Sequence, residues 1–219
     1  MAEEISKKQM VMAGLGAVTA LAVALAKIAP LMVAAKTQFP AAGFFEPEKV
    51  KWIADQLPDD SEDEFILAAW DFVARDITYE PVGSDIDFVD GMVYCDSCYS
   101  VQQTLNRQMG NCVSKSALLA SILLNRLAPD RVWMAVGNFG TGRVAGHAWV
   151  QIERGGKVYI IETTAPPPAY PWKEASASPS YQPYAVFCQQ EFDCLNHSFC
   201  LEASRCNCCT ASSQRGRVI

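Results

Sequence analysis

The sequence predicts an α+β fold in which a helix beginning at Cys112 packs on an antiparallel sheet. Three observations lead there. The run VSKSALLASILLNRL, which follows Gly110-Asn111-Cys112, is helix-like and largely apolar over more residues than a strand commonly holds. Downstream, RVWMAVGNF, VAGHAWVQIE and KVYIIETT are each rich in β-branched and aromatic residues, as strands are. Between the last two stands Gly155-Gly156, a two-residue hairpin signal.

The elements follow in order along the chain. Residues 10–35 are almost unbroken in apolar and small side chains, interrupted by Lys27 and followed closely by Pro30 within the same stretch. That length can cross a bilayer with some tilt, so a membrane is the expected partner of this segment. A cleaved signal peptide is the alternative, because Ala24-Leu25-Ala26 offers a cleavage site, although Glu3 and Glu4 offset Lys7 and Lys8 in its leading region. A packed helix with Gly14 and Gly16 for close approach is the third reading.

Residues 37–45 read as a linker, and Pro47 opens a short amphipathic helix over EKVKWIADQL. Ser61 and Glu64 have the spacing of a capping box for the helical run FILAAWDFVARDI. Residues 80–99 read as a long irregular stretch that walls a cleft. From Pro166 the chain turns to Pro, Ser and Ala as far as Pro183, with neither helical nor strand period, and a loop is expected. The segment from Tyr184 to Cys209 is Cys-rich and too poor in apolar residues for a core of its own. The expected organisation is therefore an anchor or signal with its linker over 1–45, a catalytic domain over 46–168, and a Pro-rich loop with a Cys-rich tail over 169–219.

Composition bounds the chemistry. At 219 residues and 50% hydrophobic, the chain can bury one sizeable core. A net charge of −6 with no Lys/Arg stripe argues against a nucleic-acid partner. There is no Gly-rich phosphate loop and no HExxH metal motif, and no cofactor is expected.

The residues that point to chemistry are Cys112, His147 and Glu162. A cysteine in the first turn of a helix meets unpaired N–H groups and the positive end of the helix dipole, which favour the reactive thiolate. If Gly155-Gly156 form the turn, Arg154 pairs with Lys157 and Trp149 faces Glu162. His147 then lies diagonally beside the acid, about 7–8 Å away between backbones, a gap that long side chains close. Glu162 is then placed to hold the imidazole in the tautomer that takes the thiol proton. Singly, each residue has a plainer reading: a buried small hydrophobe, a satisfied core histidine, a surface strand acid. The order and register of the three make the catalytic reading the stronger one.

Together with Ile77-Thr78-Tyr79 and Thr104-Leu105, the segments Gly110-Asn111-Cys112, His147-Ala148-Trp149 and Glu162-Thr163-Thr164 resemble the pattern of the transglutaminase-like superfamily, over roughly residues 60–168. The resemblance implies a papain-like core and a Cys112-His147-Glu162 triad acting on a protein or peptide substrate. Asn111 stands where many members have Asp, and Glu162 where many have Asp. The expected oxyanion donors are the Cys112 backbone N–H and a side chain from the Gln102-Gln103 region.

Setting Cys112 aside leaves Cys95, Cys98, Cys188, Cys194, Cys200, Cys206, Cys208 and Cys209. An even remainder suits disulfides in an oxidising compartment, so the catalytic domain is expected to be membrane-anchored or exported and extracytoplasmic. The competing reading is zinc at Cys95-x-x-Cys98, completed by tail cysteines or His197. The expected activity is that of a thiol-dependent hydrolase or acyltransferase; the rival is a non-enzymatic membrane or assembly protein that reuses the fold.

Overall fold

The computed structural model describes residues 37–81, 86–89, 92–95, 97–141, 145–165, 172–188 and 192–194. The apolar stretch 10–35 lies outside them, as do Cys200, Cys206, Cys208, Cys209 and His197. Among the described residues no helix is long and apolar enough to cross a membrane.

At the centre is helix α4 (Cys112–Leu123), every residue of which is buried. A helix apolar on nearly all sides belongs in a core. Around it are α1 (Pro47–Ala54), α2 (Glu62–Asp76) and α3 (Val101–Arg107). Leu118, Leu119, Ile122 and Leu123 on α4 are withdrawn from water entirely, each contributing about 1.5–3 kcal/mol. Lys115 is buried with them. Its ammonium donates to the Ile77 carbonyl at 2.6 Å and lies 3.4 Å from that of Ala74, tying α4 to the end of α2.

Ser61 caps α2 as its spacing predicts, accepting the Glu64 N–H at 3.2 Å. The Glu64 carboxylate meets the Ser61 hydroxyl. A capping box with both halves present closes α3 instead, between Ser100 and Gln103.

Against α4 lies a six-stranded antiparallel sheet in the order β11-β10-β6-β7-β8-β9. Its strands are β6 (Val132–Phe139), β7 (Ala145–Arg154), β8 (Lys157–Ile161), β9 (Trp172–Glu174), β10 (Tyr181–Phe187) and β11 (Phe192–Cys194). The β7–β8 hairpin has the register the glycines imply, Arg154 opposite Lys157, with both glycines at positive φ as the tight turn requires. Alternation along β7 sends Ala148, Val150 and Ile152 into the main core and Trp149 to a second cluster with Ala135, Ile160 and Val186.

Two expected loops are strands. Residues 80–99 contain β3 (Ile86–Val89) and β4 (Met92–Cys95), which pair with each other, and β4 pairs in turn with β1 (Thr37–Pro40) from the expected linker. In the β3–β4 pair Val89 stands opposite Met92. Just beyond β1, Phe44 and Phe45 are core residues with ring centroids 5.9 Å from that of Phe187.

The Pro- and Ser-rich stretch holds β9 and the start of β10. Proline inside a strand normally argues against that assignment, but Pro183 sits where the β10–β6 register shifts, at an irregularity that spares the missing N–H. The bulged chain lies directly over Gly137 of β6, where a Cβ would collide with the Gln182 carbonyl and come within 2.6 Å of Pro183 Cα.

Candidate active site

Cys112 enters the site from the first turn of α4. Asn111 is the N-cap, its side-chain oxygen accepting the Ser114 N–H at 3.0 Å and the Ser114 hydroxyl at 3.1 Å. Short β2 (Thr78–Tyr79) and β5 (Met109–Gly110) run parallel and deliver the chain to this cap. As the first helical residue, Cys112 has a backbone N–H with no intrahelical partner. Its thiol is free, and the residue is buried, at 5% exposure.

Helix and sheet are fixed to each other next to the imidazole. Ser116, one turn beyond Cys112, donates to the Ala148 carbonyl at 3.3 Å, and Ala148 follows His147. On the other side, the Trp70 indole of α2 donates to the Glu162 main-chain oxygen at 2.7 Å. Cys112, His147 and Glu162 are thereby held by three elements that are themselves cross-bonded.

His147 Nε2 and Glu162 Oε2 are 2.7 Å apart. The other carboxylate oxygen accepts the Thr164 N–H at 2.8 Å and the Thr164 hydroxyl at 2.7 Å. A third donor comes from β10: the Tyr181 phenol reaches Glu162 Oε2 at 3.0 Å. Burial alone would raise the Glu162 carboxyl, but the hydrogen bond and charge of His147, with the two Thr164 donors, bring it below the ordinary carboxylate value. Burial works against a charged His147 as well. Hydrogen bonding to Cys112 and Glu162, and the charges of both, outweigh it and raise the imidazole to about 9.

Aromatic rings complete the surround. Phe139 and Trp149 lie 5.3 Å and 6.1 Å from the His147 ring by centroid, and Tyr181 packs on both of them. Tyr79, 42% exposed, has its phenol raised by burial and then by the charges of Cys112 and Glu162. Among the described residues, Tyr79 and Phe139 are exposed aromatics beside this chemistry.

Gln102 and Gln103, expected to hold the second oxyanion donor, each make a hydrogen bond within α3 and its cap. Gln103 accepts the Ser100 N–H in the α3 capping box, and Gln102 donates to Asn106 one turn on. The Cys112 N–H remains as a donor. Cys95 and Cys98 are disulfide-bonded to each other, so that pair is not a zinc site. The turn they close is held to α4 by Asn111 Nδ2, which donates to the Ser97 carbonyl, and by the Tyr99 N–H, which donates to Ser114 at 2.9 Å.

Tyr181 and Trp70 are site residues that the sequence reading did not single out. Trp70 carries only an apolar helix signal, and Tyr181 lies in a stretch with no period. Thr164 lies in the Glu162-Thr163-Thr164 motif, but its donor role appears only in three dimensions.

No protein-family model and no curated protein matches the chain. Among solved structures it is similar to Legionella pneumophila LapG, at 14% identity and a TM-score of 0.47, covering 68% of this chain and 88% of that one. The calcium-bound form of the same protein gives 14% and 0.41 over the same shares. A candidate cysteine protease from Cytophaga hutchinsonii gives 16% and 0.41, over 68% of this chain and 49% of the other. At this identity and overlap the likeness says nothing of activity.

Proposed function

We propose that this chain is a thiol-dependent hydrolase or acyltransferase acting on peptide or carboxamide bonds, with Cys112 as nucleophile, His147 as proton carrier and Glu162 as the group that orients His147. The observation that carries the reading is the part-buried 2.7 Å contact of His147 Nε2 with Glu162 Oε2, with Cys112 near enough to favour the charged ring. Since Glu162 occupies Nε2, Nδ1 is the nitrogen that exchanges the proton with sulfur.

The reaction follows from that assignment. Cys112 Sγ attacks the carbonyl carbon, the carbonyl oxygen takes up negative charge beside the Cys112 N–H, and His147 gives its proton to the leaving nitrogen as the C–N bond breaks. The resulting thioester is attacked by water or an amine, whose proton passes to His147 while the C–S bond breaks and sulfur leaves as thiolate. Water yields hydrolysis and an amine yields transamidation. Glu162 takes no proton; it holds the ring and supports the imidazolium.

The disulfide on the Cys95–Cys98 turn favours an oxidising compartment. With the apolar stretch 10–35, it supports an exported or membrane-held catalytic domain facing away from the cytosol. Partition of the full chain into membranes, and solubility of a chain beginning near Phe44, is the expected behaviour.

The test of the chemistry needs no known substrate. Alkylation of the full chain with iodoacetamide at neutral pH is expected to modify Cys112 fastest, and to slow at least several-fold in His147→Ala. Equal rates in the two proteins would overturn the ion-pair reading.

A further inference from the structure

The geometry points to Tyr181 as a positioning residue of the site, whose phenol sets how strongly Glu162 holds the His147 ring by donating to the same carboxylate oxygen. This rests on the reading of Cys112, His147 and Glu162 as the reacting set.

Glu162 has four donors around it. His147 and Tyr181 share Oε2 at 2.7 Å and 3.0 Å, while both Thr164 donors go to Oε1. A carboxylate offers about four lone-pair sites, so this one is filled. Its side chain is 14% exposed, and water is a poor substitute for any donor that is lost. Packing explains the Tyr181 ring, which lies 4.8 Å from Phe139 and 5.2 Å from Trp149 by centroid. Packing does not explain the hydroxyl, since phenylalanine would fill the same space.

Two donors on one oxygen compete for its charge. The phenol draws electron density from Oε2, so the imidazolium is held less tightly and gives up its proton more readily. It also fixes the rotation of the carboxylate. Without it, Oε2 turns its whole charge on His147, which then stays protonated to higher pH and becomes a weaker acid toward the leaving group. The groups acting directly on His147 are Cys112 from α4 and Glu162 just after β8, and Tyr181 from β10 acts on Glu162. The charge of Glu162 in turn reaches Lys115 of α4 and Tyr79 of β2. Phe139 and Trp149 do not titrate. The Tyr181 phenol is itself pushed up by burial and by Glu162, and remains a neutral donor throughout.

The experiment is the pH profile of Cys112 alkylation by iodoacetate in the full chain. As an anion, this reagent is drawn to the thiolate while the imidazolium stands beside it, and loses that assistance as His147 deprotonates. Tyr181→Phe is expected to move the alkaline limb up by roughly 0.5–1 pH unit. A ring-fluorinated tyrosine at 181, a stronger donor, is expected to move it down. A limb that stays in place in both proteins overturns the role of Tyr181. If the Phe variant fails to fold, the fluorinated protein decides alone, and an unmoved limb there has the same meaning. Absence of His147-dependent alkylation in the unsubstituted protein would instead sink the triad reading and the Tyr181 role with it.

Discussion

Asn111 and Ser97 are joined by a 2.9 Å hydrogen bond from the side-chain nitrogen of one to the main-chain oxygen of the other. The residue that caps the Cys112 helix thus also holds the disulfide-closed turn. Asn111→Ala removes both functions, and a loss of about 1–2 kcal/mol is expected in urea unfolding. Asn111→Asp keeps the cap acceptor but loses the donor to Ser97 and adds a negative charge near sulfur. It should lose less stability than the alanine variant, while its Cys112 reacts more slowly with iodoacetate than that of the unsubstituted protein.

The His147–Glu162 pair gives a pH window with a definite sign. His147 is raised in the folded chain from 6.5 to about 9, so its contribution to stability is full below 6.5 and lost as pH rises through about 9. Glu162 is lowered below 4.5; its contribution is present above 4.5 and lost as pH falls through the folded value. Thermal midpoints of the unsubstituted protein are expected to fall on both sides of this window more steeply than those of His147→Ala. Parallel curves would contradict the pairing.

Glu162→Gln tests orientation apart from nucleophilicity. The amide can still meet Thr164 but cannot support an imidazolium. Turnover should drop by roughly 10- to 1,000-fold without vanishing, whereas Cys112→Ala should abolish it. Single-turnover acylation by an activated ester provides the measurement.

The turn between Cys95 and Cys98 is short, and cross-linking it is worth about 2 kcal/mol by the loop-entropy argument. Non-reducing peptide mapping should find Cys95 joined to Cys98 and Cys112 as a thiol. Reduction should lower the unfolding midpoint and release the Ser97 carbonyl from Asn111. A Cys112 found in a disulfide would remove the nucleophile from the proposal.

Gly137→Ala is a packing test of the same site. The added methyl meets the backbone of Gln182 and Pro183 rather than a flexible side chain, so β10 must shift. A loss of about 1–3 kcal/mol is expected, along with an upward move of the alkaline limb of Cys112 alkylation by iodoacetate, because Tyr181 moves with its strand.

The parts of the fold legible in the sequence were those governed by local pattern. The α4 run, the capping serine at 61 and the Gly155-Gly156 turn each carry their signal within a few residues, and the turn alone predicts which residues of β7 and β8 face one another. His147 and Glu162 could be brought together from that register. Tyr181 could not, because β10 is made a strand by its neighbour β6 and not by its own composition, and Pro183 argues against a strand until the irregularity beside Gly137 is seen. The pairing of β1 with β4 is hidden for a similar reason: contact between residues so far apart in the chain leaves no periodic mark in either. The engagement of Gln102 and Gln103 in α3 was legible in principle, since Ser100 and Gln103 have capping-box spacing.

Strand β6 lies in the interior of its sheet, between β7 and β10. A chain shortened to end at residue 168 would keep Cys112, His147 and Glu162 yet strip one flank of β6 bare. The six residues Met134–Phe139 that pair with β10, apolar along most of their length, would be left with unpaired main-chain donors and acceptors, a template for adding strands from other molecules. Trimming to the triad should therefore give a protein that self-associates on expression, not a smaller enzyme.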